Sequence, residues 1–351
     1  MLLENENSMS EPTKIVCKNI WKIFGSYPER TLQTIDRSLS RAEVQEQTGH
    51  VIAVKDVSFE IKKGETFVVM GLSGSGKSTL VRCISRLINP TAGEMIIDGE
   101  DIMHYNDTQL TELRRYRMSM VFQHFGLFPH RKVIDNISFG LEIRGVEKKE
   151  RRAKATEVLQ MVGLDGWADH YPRELSGGMQ QRVGLARAMA VDPEILIFDE
   201  PFSALDPLIR REMQDELIKI QAEVQKTMIF ITHDFLEAIK MGDHIAIMKD
   251  GEISQIGTPE ELVANPADDY VREFTEDVPR YKVLSVGKVM RAASDAARAN
   301  GVQRVNESDK LDSLIDIAIS TPGPLAVVNQ AGEVTGEIDQ SMILKAMDSR
   351  S

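Results

Sequence analysis

The sequence is poor in cysteine, in aromatic residues and in long apolar runs. Its 351 residues include two cysteines, Cys17 and Cys83, and 6% aromatic residues. Two cysteines are too few for a disulfide framework, so we expect both thiols to be buried in a reducing compartment. No apolar run approaches the roughly 20 residues that a membrane-spanning helix needs. These scarcities exclude the disulfide-rich secreted class and the transmembrane class.

The chain also has no excess of basic residues. Lys and Arg number 42 against 54 Asp and Glu, a formal net charge of −12. Binding to a phosphate backbone needs clustered Lys and Arg, so this balance argues against a nucleic-acid partner. Residues 1–13 lack the charged-then-apolar pattern of a signal peptide, and we expect a flexible tail there. The sequence therefore predicts a cytoplasmic protein that reaches a membrane only through a partner.

What the chain does contain is an alternation of short apolar strands with helical stretches. Residues 65–71, 194–200 and 227–234 are near-continuous apolar runs, which are typical of strands covered on both faces. Helices are predicted over 106–117 and 148–162. This alternation predicts an α/β fold built on a parallel sheet.

A change of composition near residue 278 predicts a domain boundary. We expect a large α/β domain over 14–278, with a mostly helical subdomain at about 124–185. A small α+β unit is expected over 279–351.

A glycine-rich loop follows the first apolar strand. Residues 71–79, GLSGSGKST, satisfy G-x-x-x-x-G-K-[ST] between a strand and a helix. In such a loop the backbone N–H groups cradle phosphate oxygens, the lysine reaches the outer phosphates and the next hydroxyl can ligate Mg²⁺. The motif therefore predicts a nucleotide site. Its residues are Gly71, Ser73, Gly74, Ser75, Gly76, Lys77, Ser78 and Thr79.

Two later strands end in polar residues. The run ILIFDE ends in Asp199 and Glu200, and TMIFITHD carries His233 at its end. Ligands of open α/β sheets bind outside the carboxyl ends of the strands. We expect Asp199 to hold the water shell of the metal, Glu200 to activate the attacking water and His233 to sense the γ-phosphate. Glu200 and His233 are thus the predicted catalytic residues.

Together these motifs resemble the ATPase subunit of ATP-binding cassette (ABC) transporters over roughly residues 14–276. LSGGMQQR, residues 175–182, is similar to the signature motif of that family, which phosphate-loop kinases and small GTPases lack. The resemblance implies that two copies pair head to tail and that the signature of one caps the γ-phosphate held by the other. The residues implied to act in trans are Leu175, Ser176, Gly177, Gly178 and Gln180.

The resemblance also implies the cofactors, ATP and Mg²⁺, and further site residues. Gln123 in MVFQHF matches the Q-loop, which ligates Mg²⁺ and contacts the transmembrane partner. With Ser78 and Asp199 it completes the implied metal set. Ser203 and Asp206 in SALD match the D-loop.

Phe24 in WKIFG is the implied adenine-stacking aromatic. Trp21 and Tyr27 lie nearby in the sequence, and a simple core role for Phe24 is the alternative. Residues 26–50 form an insert that resembles the quaternary-amine (glycine betaine, proline, choline) importers. A surface loop without meaning for the substrate is the alternative interpretation of this insert.

The end of the chain resembles a CBS motif. Residues 309–347 predict helix, strand, a turn at Ala331-Gly332, strand and helix. A first motif, upstream, is contracted, so a degenerate dimerisation tail remains the alternative to a sensing unit.

The implied function is ATP hydrolysis that drives uptake of a quaternary ammonium osmoprotectant. Separate transmembrane permease subunits and a substrate-binding protein would be the partners, and the chain would lie on the cytoplasmic face of the inner membrane. An importer for another amine-type solute, such as trimethylamine oxide, and a soluble ABC ATPase outside transport remain as alternatives.

Overall fold

The computed structural model describes residues 12–123, 126–299, 301–321 and 323–347. Residues 1–11 of the predicted tail, and residues 124–125 at the start of the predicted helical subdomain, lie outside these ranges. The chain divides into two compact units, Met1–Ile253 and Ser254–Ser351. This division precedes the boundary expected after residue 278, because two helices that follow residue 258 group with the second unit.

Thirteen strands are present in the described residues. They are β1 Thr13–Phe24, β2 Val51–Lys62, β3 Thr66–Met70, β4 Ala92–Ile97, β5 Glu100–Asp101, β6 Met118–Val121, β7 Ile195–Asp199, β8 Thr227–Thr232, β9 His244–Lys249, β10 Glu252–Gly257, β11 Arg304–Asn306, β12 Leu325–Val328 and β13 Val334–Ile338.

Sixteen α-helices are present in the described residues, and the three longest lie in the first unit. They are α1 Pro28–Thr34, α2 Arg41–Thr48, α3 Lys77–Ile84, α4 Asp107–Glu112, α5 Val133–Ile137, α6 Phe139–Ile143, α7 Lys148–Met161, α8 Gly177–Ala190, α9 Pro207–Val224, α10 Phe235–Met241, α11 Pro259–Ala264, α12 Asp269–Thr275, α13 Arg280–Val283, α14 Val286–Val289, α15 Ile315–Ser320 and α16 Gln340–Met347.

The main sheet has six strands in the order β10-β9-β3-β8-β7-β6, and the division between the two units falls within β10. Strands β9, β3, β8, β7 and β6 run parallel to one another. Every residue of β3, β7 and β8 is buried, which confirms the prediction of strands covered on both faces. The parallel α/β core is therefore confirmed, and it brings the ends of β3, β7 and β8 to one edge.

A second sheet of the first unit is antiparallel, in the order β2-β1-β4-β5. Helices α1 and α2 of the insert follow β1 and precede β2. The insert therefore contains regular structure, and its meaning for the substrate stays a prediction.

Helices α5 to α8 form the predicted helical region between β6 and β7. The predicted helix over 148–162 is present as α7, whereas the one over 106–117 is α4 continued by a π-helical turn, Leu113–Arg117. Helix α8 extends to Ala190, beyond the limit expected at residue 185.

The second unit contains a three-stranded sheet in the order β11-β12-β13. Strand β12 pairs parallel with β11 and antiparallel with β13. The predicted order of helix, strand, turn, strand and helix is confirmed by α15, β12, the turn before β13, β13 and α16.

Both cysteines are buried free thiols, as predicted. Burial raises the pKa of Cys17, and it raises the pKa of Cys83 to about 11. Neither thiol is therefore a ready nucleophile at neutral pH. Across the described residues, no helix combines the length and apolarity required to cross a bilayer.

Candidate nucleotide-binding and catalytic site

The glycine-rich loop between β3 and α3 has a shape that only glycine permits at two positions. Gly71 and Gly76 have φ angles of 147° and 106°, in the region that L side chains rarely adopt. A Cβ atom on Gly71 would overlap the carbonyl oxygen of Met248, and one on Gly76 would overlap that of Ala53. These close approaches fix the loop against the neighbouring backbone.

Lys77 is the buried cation of the site. Its ammonium donates to the carbonyl oxygens of Gly71, at 2.8 Å, and Leu72, at 3.0 Å. Its Nζ also lies 4.0 Å from Glu200 Oε1. Burial lowers the pKa of Lys77, while the charges of Glu200 and Asp199 oppose that shift. The loop therefore holds a desolvated positive charge beside the position where its N–H groups would receive a phosphate.

Ser78 and Asp199 come together at the start of α3. The Ser78 hydroxyl donates to Asp199 Oδ1 at 3.0 Å, and the Arg82 guanidinium lies 3.5 Å from Asp199 Oδ2. Asp199 is buried. Mg²⁺ prefers oxygen ligands such as hydroxyl and carboxylate groups, so Ser78 and Asp199 fit that ion.

Glu200 occupies a constrained position at the end of β7. Its φ angle is 48°, in the left-handed region, which costs a non-glycine residue of the order of 1–2 kcal/mol. Its N–H donates to the carbonyl oxygen of Ile231 at 3.2 Å. His233 Nδ1 lies 3.2 Å from Glu200 Oε2. The structure thus brings together the two predicted catalytic residues and Lys77.

Gln123 is linked to Glu200 through Ser203 of the D-loop. Its Nε2 donates to Ser203 Oγ at 3.1 Å, and Ser203 Oγ donates to the carbonyl oxygen of Glu200 at 3.0 Å. Within the described residues its hydrogen bond goes to Ser203, and not to Ser78 or Asp199. The structure therefore pairs Ser78 with Asp199 and places the third residue of the predicted metal set next to Ser203.

A cavity of about 350 Å³ adjoins the glycine-rich loop. Phe24 lines it and is 41% exposed, whereas Trp21 is 3% exposed in the core and Tyr27 is 71% exposed. The position of Phe24 supports the implied assignment over its two neighbours. The lining residues are Phe24, Arg41, Val51, Ala53, Ser73, Gly74, Gly76, Lys77, Ser78, Thr79 and Glu200.

The remaining loop residue, Ser75, is buried, and its carbonyl oxygen accepts from the N–H of Gly251 at 2.9 Å. This hydrogen bond ties the loop to the turn between β9 and β10. Ser75 therefore contributes to the site by fixing the shape of the loop.

The signature residues lie at the start of α8. Ser176 is the N-cap of that helix, and its side chain accepts from the N–H of Met179 at 3.3 Å. Gln180 Nε2 donates to the carbonyl oxygen of Leu175 at 3.3 Å. Neither these residues nor Gly177 and Gly178 line the cavity. Asp206 of the D-loop is the N-cap of α9.

Two charged residues of the site were not predicted from the sequence. Arg82 stands four positions after Ser78 on α3, a spacing that places both on one helix face, so the sequence did contain a signal for it. Arg41 comes from the insert and is 33 positions from Gly74, the loop residue it contacts. No local pattern signals such a contact.

Comparison with known proteins identifies the family. A family model described as ABC transporter matches residues 54–203. The trimethylamine N-oxide transport system ATP-binding protein TmoW of Pelagibacter ubique is 46% identical over 342 residues, which cover 97% of this chain and 99% of the relative. The glycine betaine/proline betaine transport system ATP-binding protein ProV of Escherichia coli is 54% identical over 278 residues, which cover 79% of this chain and 70% of the relative.

A solved structure of an ATP-binding cassette is also similar to this chain. The ATP-binding cassette MJ0796, in a dimeric post-hydrolysis state bound to ADP and Pi, is 34% identical with a TM-score of 0.59. The match covers 70% of this chain and 98% of that one. The chain belongs to the ABC transporter family, and it is an ATP-hydrolysing subunit of that family.

Proposed function

We propose that this ATPase energises the import of a quaternary ammonium osmoprotectant, such as glycine betaine, proline betaine or choline. The observation that carries the substrate class is the 54% identity to a transport ATPase named for glycine betaine and proline betaine. In this proposal the chain binds separate permease subunits on the cytoplasmic face of the membrane, and a substrate-binding protein delivers the solute.

We assign the catalytic roles from the contacts of the site. Lys77 neutralises the outer phosphates of ATP, and Ser78 and Asp199 hold Mg²⁺. Gln123 is the third residue assigned to the metal, and Ser203 positions its side chain by a hydrogen bond. Bound Mg²⁺ supplies positive charge against the charge that develops on the transferred phosphoryl group. Glu200 orients the attacking water and takes its proton. His233, beside Glu200, donates to the γ-phosphate.

The site requires a second copy of the chain in this proposal. Lys77 and Ser78 line the cavity, whereas the signature residues lie at the start of α8 and outside its lining. A helix N-terminus capped by a serine offers N–H groups and a favourable dipole to an anion. Ser176, Gly177 and Gly178 of the second copy therefore complete the site around the γ-phosphate. The dimeric state of the MJ0796 cassette supports this arrangement.

One observation favours trimethylamine oxide as a second candidate substrate. The match to TmoW covers 97% of this chain and 99% of TmoW, whereas the match to ProV covers 70% of ProV. The second unit of this chain thus has a counterpart in the trimethylamine N-oxide system. Glycine betaine, choline and trimethylamine oxide each carry a trimethylated nitrogen, so the two candidates share one recognition chemistry.

The test is ATP hydrolysis by the chain assembled with its permease in vesicles, with the binding protein offered glycine betaine, choline or trimethylamine oxide in turn. We expect one trimethylated solute to stimulate phosphate release and to enter the vesicles. Stimulation by trimethylamine oxide alone would select the second candidate. Hydrolysis that no amine changes would refute both proposals.

A further inference from the structure

The insert of residues 26–50 is a packed part of the first unit. Val44 of α2 is fully buried and clusters with Trp21, Ile23 and Ile52 of the antiparallel sheet. Three further insert side chains pack against that cluster: Leu32, Ile35 and Leu39. Burial of this apolar surface gives α2 a fixed position on the sheet.

Several polar contacts fix the start of α2 and the ends of the insert. The Ser40 side chain accepts from the N–H of Glu43, and the Glu43 carboxylate accepts from the N–H of Ser40, which is a complete capping box. The ring of His50 spans the ends of the insert, with Nε2 2.7 Å from the carbonyl oxygen of Ser26. The first helical residue, Arg41, is therefore set in place by elements on both sides of it.

Arg41 reaches from this helix to the phosphate loop. Its Nη1 donates to the carbonyl oxygen of Gly74 at 2.9 Å, and its side chain lines the same cavity as Phe24 and Lys77. Val44 stands three positions later on the same helix face, so the burial of Val44 also directs Arg41 toward the first unit.

The remaining donors of Arg41 have no protein partner in the described part of the chain. A guanidinium has five N–H donors, and the Gly74 carbonyl oxygen takes one of them. No carboxylate of the described residues forms an ion pair with Arg41, whereas Asp199 and Glu200 lie near the cations Arg82 and Lys77. A planar fork of free donors beside a phosphate-cradling loop matches the oxygens of a polyphosphate.

We propose that Arg41 is a nucleotide-binding residue that contacts the phosphates of bound ATP, so that the insert forms part of the nucleotide site. The guanidinium keeps its hydrogen bond to Gly74 and presents its free N–H groups to the phosphate oxygens. The proposal rests on the ATP site assigned above, but it does not depend on which solute the transporter carries.

The test compares R41A with R37A in the full-length chain. Arg37 is an exposed insert arginine whose guanidinium lies 5.5 Å from the Trp21 ring centre, and it does not line the cavity. Its removal changes the charge of the insert equally. Binding is measured by displacement of N-methylanthraniloyl-ATP with ATP, ADP and adenosine. We expect R41A to weaken ATP and ADP by about tenfold, to leave adenosine unchanged, and to be partly rescued by R41K. R37A should bind all three as the native chain does.

Three results would overturn the proposal. The first is native affinity of R41A for ATP. The second is an equal loss of ATP and adenosine, which would show a collapsed cavity. The third is an equal weakening by R37A, which would show a general effect of charge. K77A tests the underlying site independently, because a K77A chain that still binds ATP normally would refute the ATP site and not the role of Arg41 alone.

Discussion

At the scale of single residues, neighbouring groups fix both the backbone and the carboxylate of Glu200. The Glu200 N–H donates to β8, its carbonyl oxygen accepts from Ser203, and its carboxylate lies beside His233 and Lys77. These contacts compensate for the unfavourable φ angle. A strained residue held by so many partners at the edge of the sheet is typical of a catalytic position.

We therefore expect E200Q to bind ATP and hardly hydrolyse it. The carboxamide keeps the size of the side chain and a contact for His233, but it cannot accept a proton from water. General-base loss lowers a rate by about 10²–10⁴-fold. Phosphate release and nucleotide affinity are measured on the same preparation. Hydrolysis within threefold of the native rate would remove Glu200 from the role of base.

A second carboxylate, Glu237, is buried in α10, four positions after His233 in the sequence. It accepts from the Thr232 hydroxyl and, at 3.0 Å, from Gln214 Nε2. Burial raises the pKa of Glu237; the two hydrogen bonds oppose the shift, while Asp234 adds to it. The folded protein therefore binds the Glu237 proton more tightly than the unfolded chain does.

This shift predicts a pH dependence of stability. The free energy of unfolding should fall as pH rises from about 4.5, the ordinary value of a glutamic acid, through the raised folded-state pKa, and stay constant above it. E237Q stays neutral at every pH. Its free energy of unfolding, minus that of the native chain, should therefore increase as pH rises through this range. Urea unfolding at stepped pH measures the difference, with E223Q at an exposed site of α9 as the control. A difference that does not vary with pH would contradict the assignment to Glu237.

At the scale of elements, α8 packs against α9 through a glycine. A Cβ atom built on Gly178 would lie 2.5 Å from Ile209 Cγ2, whereas one on the preceding Gly177 would lie 3.6 Å from Leu205 Cδ2. Ile is β-branched and has few alternative rotamers in a helix. Helix α8 thus approaches α9 closely at Gly178, whereas there is room for a Cβ atom at Gly177.

We expect G178A to destabilise the chain by about 1–3 kcal/mol and G177A by less than about 0.5 kcal/mol. The reason is the overlap with Ile209, so G178A should be less costly in an I209A background. A double-mutant cycle in urea should give a coupling of about 0.5–3 kcal/mol. Equal effects of the two glycine substitutions, or strict additivity with I209A, would refute the packing argument.

The phosphate loop and the buried strands were predictable because their signals are local. Gly71 and Gly76 have backbone angles that few other residues adopt, and β7 and β8 are apolar throughout since both faces are covered. The helices of the insert and the position of Arg41 were not predictable. They depend on Val44 packing against Trp21 and Ile23 of β1, which lie outside the window of any local pattern, and a short helix with one buried residue has almost no apolar periodicity.

At the scale of the whole molecule, one chain does not bring together its nucleotide cavity and the signature residues that we propose to complete it. The cavity is lined by the phosphate loop, by Phe24 and by Arg41, while Ser176 caps a helix elsewhere in the same unit. A symmetric dimer in which each cavity faces the partner's signature would use each of them twice. ATP would then act as part of the dimer interface, and assembly would depend on nucleotide.

This arrangement is tested by oligomeric state in the E200Q background, where ATP is not consumed. We expect E200Q to be monomeric without nucleotide and dimeric with ATP by light scattering. S176R/E200Q should bind ATP but remain monomeric, because the arginine side chain would occupy the position of the γ-phosphate cap. N106R/E200Q is the matched control, since Asn106 is the exposed N-cap of α4 and its replacement removes a cap with the same change of charge. Dimers of S176R/E200Q that form as readily as those of the control would show that the signature of one copy does not close the site of the other.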